Sequence, residues 1–417
     1  MKKTNSTNVS QLGLALSSID VQKMLLARAK NCVLATALDL MEQDMERLCG
    51  AAFARKQDDD LCHRGGSERT SLLLDGAKYP MRRPRARKDG EEVELPSFER
   101  MRDQDLLDGQ MLLRIMKGVS TRNYEDVISG FAGKTGISKS SVSRAFKRAS
   151  KKDLDAINGA DLSGHRFVAI LIDGTGLGEQ TMIVAVGVTD DNQKVPLGVV
   201  AGDTENAGVV KDLLAAITSR GFSLAADRLL AVLDGGKALR AAVKAVWGDA
   251  VLIQRCWIHK LRNIKDYIPE INHGQLWRRM KKMMGLNSQA AAEREFELLA
   301  NWLSTISDDS VRSLREAGAE LLTVHALGLT GAFRNSLSNT NLIESLIGVV
   351  KTKTKNVKNW GYHPKTSSKI PRDKALRWVA TAIGSHRGRM RRLYGGKEQL
   401  NVLLNKLNMV DSIKIPA

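Results

Sequence analysis

The sequence predicts an α/β fold, in which a mixed sheet is covered by helices, interrupted by an all-helical insertion and preceded by a mainly helical N-terminal region. Apolar runs typical of buried strands occur between residues 166 and 254, first as a meander of three strands and then alternating with helical patterns. Residues 272–335 instead read as helix throughout. The core of this helical segment is predicted at Trp277, Met280, Met283, Met284, Phe296, Leu299 and Trp302.

The 417 residues, 43% of them hydrophobic, are enough for two or three domains. The predicted regions follow one another along the chain. They are an N-terminal helical region (1–60), a basic hairpin or linker (61–97), a helix-turn-helix region (98–155), the first part of the sheet domain (160–268), the helical insertion (269–335), a helix that returns to the sheet domain (336–358) and a basic C-terminal region (359–417).

The charge balance narrows the class of partner. A net charge of +18 and a pI near 9.8 favour a polyanion, which leaves DNA, RNA and an anionic membrane surface open. No apolar run reaches the ~18–20 residues that cross a bilayer, so a membrane protein is disfavoured. The four cysteines lack pairing spacings, which suits a reducing cytoplasm. We therefore expect a cytoplasmic protein that faces nucleic acid.

A basic run at residues 82–88 is followed by Asp89-Gly90 and then by a second extended segment at residues 91–96. A turn dipeptide between two extended arms predicts a hairpin with one very basic arm. A solvated linker is the alternative interpretation.

Residues 110–151 resemble a helix-turn-helix, with helices at 110–117 and 124–135, a turn at Gly136 and a third helix that begins after Ser138. In the third helix we expect Val142, Ala145, Phe146 and Ala149 to pack inward. The outward-facing cations would be Lys139, Arg144, Lys147 and Arg148, which suits a helix in the major groove of DNA. An ordinary basic helical hairpin is the alternative.

Two apolar runs, at residues 167–172 and 229–233, each end in an aspartate that glycine follows, at Asp173 and Asp234. Ligand sites of open α/β sheets form beyond the carboxyl ends of strands. Two carboxylates that meet there repel each other unless a cation lies between them, and Mg²⁺ prefers such oxygen ligands. Two ions ~3.5–4 Å apart would activate the attacking oxygen and stabilise the leaving oxygen in phosphodiester cleavage.

Glu344 is the best candidate for a third carboxylate. It lies on a predicted helix that Ser338 or Asn339 would cap, and Lys351 follows two turns later on the same face, where a DNA strand would pass. Each residue alone has a plainer interpretation. An aspartate at a strand end often forms a turn, and a glutamate on a helix is often only solvated.

Cys256 and His259 form a Cys-x₂-His pair after the fifth predicted strand. A zinc site needs about four ligands. The other such cluster, Cys62-His63, lacks ligand spacing. A buried cysteine and a histidine on a helix face near the active centre are therefore favoured over zinc.

Together these features resemble the mutator-type (IS256-like) group of DDE transposases. The resemblance rests on Asp173-Gly, Asp234-Gly, Cys256-x₂-His259 and the glutamate of Asn339-Thr-Asn-x-x-Glu344, and it covers most of the chain. Separations of 61 and 110 residues between the three carboxylates leave room for a helical insertion before Glu344. The segment after Glu344 is less arginine-rich than in many members of the group.

The resemblance implies a ribonuclease H-like catalytic domain interrupted by helices. It implies that Asp173, Asp234 and Glu344 hold two Mg²⁺ ions, with Mn²⁺ as a substitute. It also implies recognition of terminal inverted repeats in double-stranded DNA, release of a 3′-OH by water and attack of that 3′-OH on target DNA, without a covalent protein–DNA intermediate. We expect a homodimer or higher homo-oligomer, associated with the bacterial nucleoid and not with a membrane.

Two other functions stay open at this point. One is a DNA-binding regulator on a catalytically inert transposase-like fold, which the helix-turn-helix alone would support. The other is a nuclease that cuts DNA without strand transfer.

Overall fold

In the computed structural model of the protein, the residues described are 18–52, 62–74, 77–102, 112–113, 115–117, 139–177, 180–202, 206–355, 357, 360, 373–390 and 392–408. The chain forms two units, residues 1–149 and residues 150–417, which we describe separately. The described part of the chain has no helix that combines the length and the apolar character needed to span a membrane.

The first unit pairs a long helix with a small antiparallel sheet. Its elements are α1 (Ser18–Cys49), β1 (His63–Leu74), β2 (Ala77–Lys88), β3 (Glu91–Val93) and α2 (Pro96–Met101). The sheet has the order β1-β2-β3, and the end of α1 packs on it. The core consists of Met41, Met45, Cys62, Ala86, Leu95 and Phe98.

The predicted basic hairpin is confirmed as β2 and β3, and the linker interpretation is wrong. Asp89 and Gly90 both have positive φ, 54° and 85°, which a two-residue hairpin turn requires. Two arginines of the basic arm are ion-paired within the sheet, because Arg83 and Arg85 both contact Glu92, at 2.6 and 2.5 Å. The sequence did not reveal β1, whose pairing with β2 is interrupted by a register shift between Arg64 and Ser67.

The predicted helix-turn-helix is described only in part. Residues 112–113 and 115–116 are helical, whereas the second predicted helix and the turn at Gly136 lie outside the described residues. The third helix, α3 (Lys139–Asn158), begins where predicted but continues into the second unit. Its inward positions are confirmed as buried, namely Val142, Ala145, Phe146 and Ala149.

The second unit contains the predicted mixed sheet. Its strands are β4 (Arg166–Leu177), β5 (Gln180–Thr189), β6 (Lys194–Ala201), β7 (Ser223–Leu224), β8 (Leu229–Leu233) and β9 (Val251–Arg255). The order is β6-β5-β4-β8-β9, and β7 pairs with the start of β4. The first three strands are antiparallel, whereas β4, β8 and β9 are parallel.

Helices cover both faces of this sheet, which explains why its central strands are almost wholly apolar. The covering helices are α4 (Ala207–Ser219) and α5 (Lys237–Trp247) on one face, and on the other, at the end of the chain, the helices Asn341–Thr354 and Asp373–His386. On β4, Ile170 and Ile172 belong to the core against α4 and α5. Because side chains alternate along a strand, Leu171 and Asp173 face the other side.

Residues after β9 are helical as predicted. The helices are α6 (Trp257–Lys265), α7 (His273–Gly285), α8 (Gln289–Ser304), α9 (Asp308–Ala317), α10 (Thr323–Ala326), α11 (Gly331–Leu337), α12 (Asn341–Thr354), α13 (Asp373–His386) and α14 (Gly396–Asn408). Most of the predicted core positions in α7 and α8 are buried, but Trp277 is 40% exposed. That prediction is wrong because Trp277 lines an open cleft and packs on Trp257 on one side only.

A buried amide ties the helical segment back to the sheet. Gln254 on β9 donates to the carbonyl of Leu321 at 2.8 Å and accepts the N–H of Val324 at 3.0 Å. Thr323 donates to the carbonyl of Ile253 at 2.6 Å. These bonds satisfy polar groups that would otherwise be unpaired in the core, and they hold α10 against β9.

We expect Gly187→Ala to destabilise the second unit. A Cβ at Gly187 would lie 2.6 Å from the ring of Phe167, which stacks on Phe222 with centroids 4.4 Å apart. Overpacking of this kind costs about 1–3 kcal/mol of unfolding free energy. Urea unfolding followed by tryptophan fluorescence measures it, because all six tryptophans lie in the second unit. Gly176→Ala, with nothing within 4 Å of its Cβ, is the control, and equal stability of the two variants would contradict the packing argument.

Candidate active site

The register of two parallel strands brings Asp173 and Asp234 to the same edge of the sheet. Ile172 of β4 pairs with Leu233 of β8, and each aspartate is the next residue along its strand. Neighbouring strands lie about 4.8 Å apart. The prediction that β4 ends at Asp173 is wrong, because residues 173–177 continue as a hairpin with β5. What ends there is the pairing of β4 with β8.

A close backbone approach shapes the turn after Asp234. Gly235 has φ +111°, and a Cβ there would lie 2.5 Å from the guanidinium of Arg255. The Asp234 carboxylate accepts the N–H of Gly236 at 2.8 Å, which fixes the turn that leads into α5. Glycine is therefore required after Asp234, whereas Gly174 lies within β4.

Glu344 lies in the first turn of α12, close to the sheet. The predicted caps, Ser338 or Asn339, are wrong by one or two positions, because Thr340 precedes the first helical residue. Asn339 still contributes, since its side-chain oxygen accepts the N–H of Asn341 at 2.9 Å. A carboxylate in the first turn of a helix is favoured by the helix dipole.

Three side chains from distant parts of the sequence meet here. Asp173 on β4, His259 on α6 and Glu344 on α12 each offer a ligand atom, and these atoms lie within 4.8 Å of one another. Asp234 is outside this group but close enough for its charge to raise the pKa of Asp173. The structure thus brings together two of the three predicted carboxylates, with the third on the adjacent strand.

The Cys-x₂-His pair and Thr340 form a small contact network beside the carboxylates. The Thr340 hydroxyl lies 3.5 Å from the Cys256 sulfur and 3.3 Å from Nδ1 of His259. The other ring nitrogen, Nε2, is 3.9 Å from the Glu344 carboxylate. Cys256 is buried and forms no disulfide, and a hydrogen bond with its side chain helps to hold the ring of His259.

Burial and neighbouring charges shift the pKa values of these groups. Burial raises the pKa of Asp173, which is only 3% exposed, to about 6, while His259 and Thr340 act in the opposite direction. A hydrogen bond with Cys256 raises the pKa of His259 to about 9, and the charges of Asp173 and Asp234 add to the effect. Burial raises the pKa of Cys256, but contacts with His259 outweigh it and leave the pKa below its usual value. At neutral pH His259 is therefore an imidazolium facing two carboxylates.

Arg262 is a site residue that the sequence analysis missed. Its guanidinium donates to the Glu344 carboxylate at 2.8 Å, and about half of its side chain is exposed. The sequence feature that could have indicated Arg262 is its position three residues after His259, which places both side chains on one face of α6. Thr340 was also missed, although it lies within the motif around Glu344.

The remaining predicted site residues are lysines and arginines of α12 and α3. Lys351 is exposed on α12, two turns after Glu344. Arg144, Lys147 and Arg148 are exposed on α3, and the side chain of Lys139 lies outside the described residues.

The donor set suits a hard divalent cation. Mg²⁺ binds oxygen ligands at ~2.0–2.1 Å, so two ligands of one ion lie at most about 4.2 Å apart. The Asp173 and Glu344 oxygens lie within 4.8 Å of each other, so these two carboxylates could bind one ion after a small closure of the side chains. The raised pKa of Asp173 reflects the cost of burying its charge, a cost that a bound cation would remove.

Comparisons with known proteins agree on one family. A sequence profile described as "Transposase, Mutator family" matches residues 1–373. The chain is 26% identical over 327 residues to the transposase for insertion sequence element ISRM5 of Rhizobium meliloti, a match that covers 76% of this chain and 79% of that protein. It is 23% identical over 369 residues to the transposase for insertion sequence element IS256 in transposon Tn4001 of Staphylococcus aureus, with 84% and 91% covered.

A third relative, the transposase for insertion sequence element IS1201 of Lactobacillus helveticus, is 25% identical over 269 residues, with 63% of this chain and 70% of that protein covered. The profile match spans both units described above. This chain belongs to the Mutator family of transposases.

Proposed function

We propose that the protein binds the terminal inverted repeats of an insertion sequence, hydrolyses a phosphodiester bond at each end and joins the resulting 3′-OH to target DNA. One observation carries the proposal. Asp173 and Glu344 are far apart in the sequence and lie together at one edge of the sheet, with Asp234 on the adjacent strand. Neither fold stability nor simple DNA binding requires such a cluster of carboxylates.

The sheet topology supports a ribonuclease H-like catalytic domain. Three antiparallel strands are followed by two parallel ones, in the order β6-β5-β4-β8-β9. The helices from α7 to α11 then form the insertion that separates this sheet from α12, the helix that carries Glu344.

Asp173, Asp234 and Glu344 would hold two Mg²⁺ ions, for which Mn²⁺ could substitute. Such ions would stabilise charge on the attacking and leaving oxygens of the phosphodiester. His259 and Arg262 supply positive charge to Asp173 and Glu344, and Thr340 orients the ring of His259. Because Arg262 is half-exposed, it is also available to contact a DNA phosphate.

The sequence that follows Glu344 is strongly basic. Lys351 follows Glu344 along α12, and residues 351–392 hold 13 Lys or Arg against one acidic residue. Arg144, Lys147 and Arg148 on α3 would bind the element ends. Joining two ends at once requires a homodimer or a higher homo-oligomer, and action on chromosomal DNA places the protein at the nucleoid.

Asp173→Asn should abolish chemistry and leave DNA binding intact. We expect cleavage and strand transfer to fall by about a thousandfold, equivalent to about 4 kcal/mol, because a neutral amide holds a divalent ion poorly. The assay uses the purified full chain, Mg²⁺ and a duplex of the inverted repeat that borders the gene. Asp249→Asn, an exposed aspartate of the same unit, is the matched control.

The products separate the rival functions. Wild-type protein that cuts but never joins strands would be a nuclease without strand transfer. Binding without cleavage, equal in Mg²⁺ and in EDTA, would indicate an inert regulator. Full activity of Asp173→Asn would refute the proposed site.

Metal affinity should fall as the pH is lowered through about 6. Above this pKa Asp173 is a carboxylate, and below it a proton competes with the cation. We expect Mn²⁺ affinity to drop about tenfold per pH unit below 6, as for one competing proton. Calorimetric titration between pH 5 and pH 7.5 measures this, and a flat profile, like that expected for Asp173→Asn, would contradict it.

Arg262→Gln should strengthen Mn²⁺ binding, because it removes a positive charge that lies 2.8 Å from the Glu344 carboxylate. Solvent screens a half-exposed side chain, so we expect a gain of only about 3- to 10-fold. The same calorimetric titration at pH 7.5 measures it. Arg278→Gln on α7 is the control, and unchanged or weaker binding in Arg262→Gln would show that the guanidinium does not compete with the cation.

A further inference from the structure

A cleft of about 530 Å³ opens in the second unit beside the start of α12. We call it the aromatic cleft. Its lining includes Trp257, Trp277, Tyr394, Lys194, Lys281 and Asn341.

Two indole rings are the main apolar feature of the aromatic cleft. Trp257 and Trp277 have ring centroids 5.4 Å apart with planes inclined by 36°. Trp277 is 40% exposed and Tyr394 is 66% exposed, although large aromatic rings are normally more buried than this. Such exposed rings offer stacking surfaces for a planar group.

The polar lining of the aromatic cleft is cationic. Lys194 and Lys281 both line it, and the lining within the described part of the chain includes no acidic side chain. Burial lowers the pKa of Lys194, so its ammonium gains from an anionic ligand. Asn341 is exposed at the same cleft and offers both a donor and an acceptor. A planar, hydrogen-bonding group linked to an anion matches this lining, and a nucleotide has these properties.

The aromatic cleft and the candidate active site share two helices. Asn341 of the cleft and Glu344 of the site lie three residues apart on α12, about 4.5 Å along the helix axis. Trp257 of the cleft and His259 of the site both lie in the first turn of α6, although residues two apart point to different sides of a helix. A DNA strand with a phosphate at the carboxylates would therefore pass next to the cleft.

We propose that the aromatic cleft receives one DNA base, unstacked from the duplex next to the cleavage position, and stacks it on Trp277. The inference rests on the proposed function for the presence of DNA at this site. Stacking of a base on an aromatic ring strengthens binding by about tenfold. A base captured in this way would fix the register of the strand relative to the carboxylates.

A side chain from a second copy of the protein is the rival occupant. An apolar or aromatic side chain would also cover Trp277, but it would leave Lys194 and Lys281 without an anion. The cationic lining therefore favours DNA. A changed oligomeric state in a variant of the cleft would instead indicate a second copy of the protein.

The test compares two duplexes that share one strand with a single 2-aminopurine, which is paired in one duplex and is bulged in the other because the complementary strand lacks its partner. Binding of the full chain is measured in EDTA by fluorescence anisotropy, together with 2-aminopurine emission. We expect wild-type protein to bind the bulged duplex about tenfold more tightly and to quench its emission. Trp277→Ala should lose both effects, and Trp277→Phe should retain most of both.

Two further variants make the result specific. Trp302→Ala is the matched control, because Trp302 is a half-buried indole of α8 outside the cleft that contacts Arg279 at 5.2 Å. Tyr394→Ala removes a more exposed ring of the same cleft and should reduce the preference for the bulged duplex at least threefold. If Trp277→Ala does not fold, Tyr394→Ala decides the outcome.

Equal wild-type affinity for the two duplexes, or a preference that survives in Trp277→Ala, overturns the inference. A changed oligomeric state in Trp277→Ala with the preference intact identifies the cleft as a protein interface and also overturns it. The assay contains no divalent ion, so its result is independent of the Asp173→Asn cleavage assay. If wild-type protein shows no preference for the bulged duplex while Asp173-dependent cleavage is intact, only this inference is rejected, whereas an active Asp173→Asn rejects the proposed function.

Discussion

The buried carboxylate of Asp173 is the constraint around which the second unit is arranged. Its position follows from the pairing of β4 with β8, and its side chain faces α12 because alternate residues of β4 fill the core on the opposite face. A negative charge in this position is unfavourable unless positive charge or hydrogen-bond donors compensate for it. The imidazolium of His259 and the hydroxyl of Thr340 do so directly, and Arg262 does the same for the neighbouring Glu344. The site is therefore held together by charges that a divalent cation would partly replace.

The helical insertion contributes to this arrangement from outside the site. Glu316 of α9 receives both guanidinium nitrogens of Arg255, at 3.1 and 3.0 Å, and the ammonium of Lys260 at 2.6 Å. Arg255 ends β9, and Lys260 follows His259 on α6, so this network braces the helix that carries two of the cationic site residues. Buried ion pairs of this kind stabilise a fold only weakly, because desolvation offsets the attraction. Their effect here is on position, since they hold α6 against both the sheet and the insertion.

The sequence predicted the sheet well because buried parallel strands are continuous apolar runs, and the run before Asp234 matches β8 residue for residue. The predicted end of β4 was wrong because its last residues pair only with β5. The sequence of β4 alone does not reveal that pairing. Glu344 was selected from its predicted capped helix and from Lys351 two turns later, and the family resemblance then supported the choice. Arg262 and Thr340 were missed because their importance arises from contacts more than 80 residues apart. Trp277 was placed in the core because helical periodicity does not distinguish a core from an open cleft.

Net charge alone does not locate a DNA-binding surface. The basic run at residues 82–88 holds four arginines, yet Arg83 and Arg85 are engaged by Glu92 across the hairpin. Ion pairs exposed to solvent contribute little to stability, but they lower the positive potential that a phosphate would meet. Lys351 lies on α12, the helix that also carries Glu344, and the basic sequence continues from it through residues 351–392 of the same unit. Under the proposed function, a cation on the helix that carries a site carboxylate would place the DNA strand relative to the carboxylates.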